Sequence, residues 1–375
     1  MRIAIDYTPA LRQGAGIGRY TRGLVAGLAE IDRKNQYTLF GAGEMPPSVR
    51  DWPANFHLRA STIPPRWLTV GWHRLRLPIP AELLAGDCDL YHSPDFTLPP
   101  LRRARGLVTI HDLSFLRVPE CADPGLRAFL EKVVPAAVMR ARRILADSEN
   151  TRSDLIEILR VDPDRISVVT PAIEPRFRRE DAAARLDEVR ARYGLPDRFI
   201  LGLGTLEPRK NFTGLIAAYN QLVRETGLPH ALVIGGKPGW LYEDIYRQAK
   251  QEDLAGRVLF PGFVADEDLP ALYSLAEVFV FPSLYEGFGI PVLEAMACGT
   301  PVVTSNNSSL PEAAGSAALM VEATDATELA EAIAKVLNDN ELRRRMIAAG
   351  YEQASRFTWQ RSAQALLEAY ERAAT

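Results

Sequence analysis

Two glutamates, Glu286 and Glu294, stand with seven residues between them in YEGFGIPVLEAMACGTPVV, which runs from Tyr285 to Val303. Gly287 and Gly289 adjoin the first, and Pro291 lies between the pair. Carboxylates accept hydrogen bonds from paired hydroxyls, which suits a sugar or a ribose. Glycines let the backbone come close to a ligand, and proline is well placed in the first turn of a helix. The preceding run VFVFPS reads as a buried strand. Glu286 therefore falls in its exit loop, and Glu294 about one turn into the next helix. Glu294 would also serve as an ordinary residue near a helix start. Glu286, set between a strand end and two glycines, is harder to explain by helix formation alone.

Other stretches carry comparable chemistry. In GTLEPRKN, Gly204 to Asn211, Pro208 stiffens a loop, and Arg209 and Lys210 project from the entrance to a helix. Cations there oppose the helix macrodipole unless an anion joins them, so the arrangement suits a diphosphate. GAGIGRY, Gly14 to Tyr20, lets a backbone approach a ligand ahead of a helix. Its Gly-x-Gly-x-Gly spacing and the lack of an acid at the right distance argue against NAD. In TIHDLSF, Thr109 to Phe115, His111 and Asp112 leave a strand end. Histidine there can donate to a substrate hydroxyl or shuttle a proton, or simply be a satisfied structural residue. Asp87-Cys88-Asp89 has the Asp-x-Asp form of metal-dependent sugar transferases, but it precedes the strand DLYHS and reads as turn chemistry. No metal site is expected. In PPRWLTVGWHRLRLP, Pro64 to Pro78, Trp67 and Trp72 alternate with Arg66, Arg74 and Arg76. That mixture suits a membrane interface or a stacked anionic acceptor, and equally a packed helix–loop element with a basic rim.

These residues need strands and helices to hold them. The 375 residues exceed one ordinary core, so two domains are expected. Strand candidates in the first half are RIAIDYT, QYTLFG, HLRAST, CDLYHS, GLVTIHD, RRILADS and ISVVTP; in the second, RFILGLG, HALVIGG, RVLFPGF, VFVFPS, PVVTSN and AALMVE. Amphipathic stretches such as GRYTRGLVAGLAEI and NFTGLIAAYNQLVRET fall between many of them. Near-continuous apolar strands alternating with helices imply α/β domains with parallel sheets covered on both faces. The pattern restarts near residue 205, and TPAIEPRF, Thr170 to Phe177, reads as the linker. The expected division is 1–172 with a returning C-terminal helix, 358–375, and 173–357. Two doubly wound domains would face each other across a cleft and bind ligands beyond the strands' carboxyl ends.

Composition sets outer limits. Hydrophobic content of 47% and charged content of 24% are those of a soluble globular protein. Net charge is −3, split as +4 through Thr170 and −7 beyond it, so the first half could face an anionic partner. The three scattered cysteines, Cys88, Cys121 and Cys298, argue for a reducing compartment. Neither a signal peptide nor a spanning helix is expected, so the expected location is cytoplasmic, with peripheral contact at the inner membrane face through residues 64–78.

Taken in order, GAGIGRY, TIHDLSF, SENTRSDL, VVTPAIE, GTLEPRKN, PGFV and Glu286-x7-Glu294 followed by ACGTPVV resemble the retaining glycosyltransferases of family 4, which have the GT-B fold. The likeness covers essentially the whole chain. It implies transfer of a hexose from a nucleotide-sugar, GDP-mannose or else a UDP-sugar, to a glycan or lipid-linked acceptor in polysaccharide or glycolipid synthesis. Retention of configuration, no obligatory metal and no cofactor beyond the donor are implied. By this resemblance Lys210 and Arg209 hold the diphosphate, and Glu294 binds the ribose. Glu286 contacts the donor sugar, near the backbone N–H groups of Phe288 and Gly289, and Val264 borders the base through its main chain. Gly16 approaches the diphosphate from the other domain, and His111 touches the donor sugar. Thr205 stands where some members carry an arginine, so phosphate binding would rest more on Arg209 and Lys210. A nucleotide-sugar epimerase on the same architecture and a non-catalytic nucleotide-sugar binder are the alternatives.

Overall fold

The computed structural model of the chain describes residues 1–14, 16–43 and 52–375. Of GAGIGRY, Ala15 lies outside the described residues. Every strand candidate forms a strand. The first set is β1 Arg2–Asp6, β2 Gln36–Ala42, β3 Phe56–Ser61, β4 Leu90–Ser93, β5 Arg105–Ile110, β6 Arg143–Ala146 and β7 Ile166–Val168. They make one parallel sheet in the order β3-β2-β1-β4-β5-β6-β7. The second set is β8 Phe199–Leu203, β9 Ala231–Gly235, β10 Val258–Gly262, β11 Val278–Phe281, β12 Val302–Ser305 and β13 Ala318–Val321. It is also parallel, in the order β10-β9-β8-β11-β12-β13.

Both sheets start in the middle and wind outward in two directions. The order reverses between β1 and β4, and again between β8 and β11. Loops leaving neighbouring strands at such a point go opposite ways and leave a crevice at the carboxyl ends. Strands covered on both faces have no polar side to show, which is why Val278–Phe281 and Val302–Ser305 are buried throughout.

By contacts the chain forms two compact units. One comprises Met1–Leu113, Pro124–Ala172 and Phe357–Thr375; the other, Ser114–Asp123 and Ile173–Arg356. The sequence reading keeps Ser114–Asp123 with the first domain, whereas the structure packs it within the second unit. There Cys121 is buried, and its carbonyl accepts a hydrogen bond from Trp240 Nε1 at 2.7 Å.

In the first unit Ile3, Ile5, Leu39, Leu90 and Leu107 form a core with the helix Ile17–Ile31 and the C-terminal helix Trp359–Ala374. Thr358 caps that last helix, and Trp359, Leu366 and Tyr370 are buried. The two helices touch closely because Gly23 and Gly27 lie between them. A Cβ on Gly23 would run into the Trp359 ring, and one on Gly27 into the Trp359 carbonyl. The second core gathers Ile200, Tyr219, Leu232, Val280, Val303 and Ile333. Asp89 precedes β4, at the amino end of the sheet, and accepts hydrogen bonds from the backbone N–H and the guanidinium of Arg2. Asp89 of the Asp-x-Asp stretch thus pins a strand start.

Candidate active site

The switch point of the second unit collects the residues on which the sequence reading places most weight. β8 ends at Leu203, and a 3-10 turn, Pro208–Lys210, leads to Asn211, whose φ is 54°. Asn211 caps the helix Phe212–Thr226 by accepting from Gly214 N. Its amide also donates to the carbonyls of Pro282 at 3.1 Å and Ala323 at 2.6 Å. One side chain therefore ties the exit of β8 to those of β11 and β13. Gly236 makes this close approach possible on the other side, since a Cβ there would strike the Gly204 carbonyl.

This scaffold brings Arg209, Lys210 and Glu286 together. Arg209 Nη1 donates to Glu286 Oε2 at 2.9 Å and to the Tyr285 carbonyl at 3.0 Å; Nη2 donates to Glu207 Oε1 at 2.7 Å. Lys210 Nζ donates to Glu286 Oε1 at 2.6 Å and sits over the Phe281 ring. The Glu286 backbone is fixed too, its N–H donating to Ser308 Oγ and its carbonyl accepting from Ser309 Oγ. Burial alone would raise the Glu286 carboxyl, but Arg209 and Lys210 outweigh it and hold it at about 2. Burial also pulls the Lys210 amine below its ordinary value, against the raising effect of Glu286. At neutral pH Glu286 is an ionised acceptor bridging two cations, so it has no proton to give as a general acid.

Glu294 lies on the same loop-and-helix element but in a different setting. It is 1% exposed, and its Oε2 accepts from Tyr273 Oη at 3.0 Å. Gly289 caps the helix Ile290–Ala297 at φ 110°, and a Cβ there would lie 2.8 Å from Leu310 Cδ2. Phe288 is buried beside it. Val264 follows β10 and is 4% exposed.

In the first unit Gly16 caps the helix Ile17–Ile31 with φ 53°, and nothing stands within 4 Å of where its Cβ would be. Arg22 braces the loop before it by donating to the carbonyls of Ala10, Gln13 and Gly14. His111 is 8% exposed, with both ring nitrogens engaged: Nε2 donates to the Pro94 carbonyl, and Nδ1 meets Asp147 Oδ2, each at 2.8 Å. Burial lowers its basicity, but the Asp147 carboxylate dominates and raises His111 to about 9. The imidazolium with two acceptors is the form this geometry suits, and Tyr20 and Phe96 pack edge-on against the ring. A role as proton shuttle would require His111 to release one of these partners.

Several residues with evident roles escape a linear reading. Glu207 and Asn211 stand inside GTLEPRKN, and Asn directly before a helical run is a legible cap signal. Asp147, Tyr273 and Ser308 have no such local signature. Asp6 and Asp95 help to line a cavity of about 730 Å³ at the carboxyl ends of β1, β2 and β4, with Arg12, Gln13, Trp72 and His73. Burial, with the nearby charge of Asp95, raises Asp6 to about 6; burial raises Asp95 as well. Carboxylate oxygens accept hydrogen bonds from hydroxyls.

Comparison with known proteins agrees with this architecture. Residues 187–353 match the model of "Glycosyl transferases group 1", and residues 14–177 that of "Glycosyltransferase Family 4". The O-antigen chain mannosyltransferase B of Escherichia coli is 34% identical over 380 residues, covering 99% of each chain. Among solved structures, sucrose-phosphate synthase from Thermosynechococcus elongatus superposes with a TM-score of 0.74 at 22% identity, over 99% of this chain and 98% of that one. Anabaena HepE, in complex with UDP and glucose, gives 0.71 at 19% identity over 99% of each chain. A relative alike from end to end, two family models laid over the two halves and a shared fold lead to one conclusion: the chain is a glycosyltransferase of family 4, with the GT-B fold.

Proposed function

We propose that the chain moves a mannosyl group from GDP-mannose to a glycan acceptor in the synthesis of a surface polysaccharide, with retention of anomeric configuration and without an obligatory metal. The observation that carries this reading is the cluster of Arg209, Lys210 and Glu286 at the switch point between β8 and β11. The name of the Escherichia coli relative supports the sugar and the acceptor class. The UDP and glucose bound by HepE support a nucleotide-sugar donor, with UDP the competing base.

In this reading the bond between the sugar's anomeric carbon and the diphosphate oxygen breaks, and the acceptor oxygen bonds to that carbon on the same face. The acceptor's proton passes to the departing phosphate. Arg209 and Lys210 lie where the leaving group gathers negative charge, and preorganised cations do most there. Glu286 positions the sugar and stabilises its positive character. Glu294 takes the ribose hydroxyls, the Phe288 and Gly289 N–H groups approach the donor, and the Val264 main chain borders the base. The cavity lined by Asp6 and Asp95 suits the hydroxyls of the acceptor.

The test is transfer from GDP-mannose and from UDP-glucose to a mannose-containing acceptor, with the anomer of the product read by NMR. GDP-mannose should be used in preference, with the donor configuration kept and turnover surviving a chelator. Lys210→Ala should lower turnover by about a hundredfold or more. Full activity in that variant would overturn the assignment.

A further inference from the structure

We infer that the cavity at the carboxyl ends of β1 and β4 takes an uncharged saccharide end and excludes one that carries a phosphate, with Asp6 and Asp95 as the deciding residues. This selectivity presupposes the proposed function, in which the cavity receives the acceptor. Register sets the pair. Ile5 lies opposite His92 across β1 and β4, so Asp6 and the chain leading to Asp95 leave the sheet side by side at the switch point. Each carboxyl is steadied from its own side. Asp6 Oδ1 accepts from Thr8 N at 3.0 Å, and Asp95 Oδ2 from Gln13 Nε2 at 3.3 Å. A carboxylate offers about four acceptor positions, so both can take further O–H donors.

Part of the lining is apolar: Pro64, Pro65, Leu68 and Trp72. Trp72 is fixed there, its Nε1 donating to the Ile79 carbonyl at 2.8 Å. A pyranose has the same two characters, hydroxyls around its rim and C–H groups on its faces. The volume, about 730 Å³, lies within the range of about 300–1,000 Å³ usual for ligand cavities. Charge then sets the class of sugar. Among the described residues Arg12 is the one cation on the wall, and its Nη2 already donates to the Ala42 carbonyl. His73 is neutral, because burial and the charge of Arg140 hold it at about 4. A phosphate here would face two carboxylates and one engaged guanidinium, and such like-charge contacts are how a site rejects a wrong ligand. An apolar ligand would strip water from both carboxylates and return no donor.

The test compares two acceptors, a methyl mannobioside and the same disaccharide with a phosphate ester on its terminal residue. The pH is kept well above the value of about 6 to which Asp6 is raised, so that its carboxylate is ionised. With GDP-mannose as donor, the parent chain should favour the neutral acceptor in kcat/KM by about a hundredfold or more. Asp6→Asn combined with Asp95→Asn should bring that ratio within about tenfold. A fold defect would lower both rates together and leave the ratio in place, so the ratio separates selection from stability. A parent chain that uses both acceptors equally, or a double variant that keeps the parental ratio, would overturn the inference while leaving the transfer reaction standing. A second arm needs no donor. Saturation-transfer NMR on the parent chain should show contact with the terminal ring of the neutral disaccharide and none with the phosphorylated one. That result in a chain that transfers nothing from GDP-mannose would sink the donor assignment and keep the cavity's selectivity. Equal contact with both sugars, or with neither, would remove it.

Discussion

Glu286 holds two cations at once, and this fixes what its replacement should do. Glu286→Gln removes the charge but keeps the shape, releasing Arg209 and Lys210 from their shared anion. Transfer should fall by about a hundredfold, while GDP affinity measured by calorimetry stays level or tightens. A matching loss of both would mean that Glu286 serves the fold and not the sugar. The same carboxyl sets a pH dependence. Its folded value, about 2, lies below its ordinary 4.5, so its contribution to stability is present above 4.5 and is lost as pH falls toward 2. The melting-temperature gap between the parent chain and Glu286→Gln should therefore be widest above that window and close on acidification. The residue types at this site were legible in sequence, but their direct pairing was not. Arg209 and Glu286 stand 77 positions apart and meet only because β8 and β11 are neighbours.

At the level of elements, the strand exits are the working parts. The glycines and Asn211 let those exits crowd together. Gly289 is the clearest case, because its φ of 110° and the 2.8 Å between a built Cβ and Leu310 both exclude a side chain. Gly289→Ala should destabilise by about 1–3 kcal/mol, measured by urea denaturation, and shift the start of the helix that carries Glu294. The strands themselves were plain in sequence because buried parallel strands read as short apolar runs. The pairing of His111 with Asp147 was hidden for a related reason. Thr109 aligns with Leu145 and Ile110 with Ala146 across β5 and β6, so the next positions, His111 and Asp147, leave the sheet side by side. That register depends on which strands are adjacent, and no local pattern states it.

For the molecule as a whole, the first unit is discontinuous and gains the helix Trp359–Ala374 from the end of the chain. Trp359 fills the space that Gly23 leaves, so Trp359→Ala should cost about 3–5 kcal/mol, seen as a lower unfolding midpoint by calorimetry. If that helix were merely appended, the midpoint would hardly move. The amino-acid sequence by itself determined the strands, the alternation with helices, the restart near residue 205 and the residue types able to meet a sugar diphosphate, because periodicity, glycine and proline act locally. Only the tertiary structure decided that Glu286 bridges Arg209 and Lys210, that both nitrogens of His111 are taken, that Asp6 and Asp95 share a cavity, and that Ser114–Asp123 packs within the second unit. Each of these depends on strand order and loop packing, which join residues far apart in the chain through the summed burial of two cores.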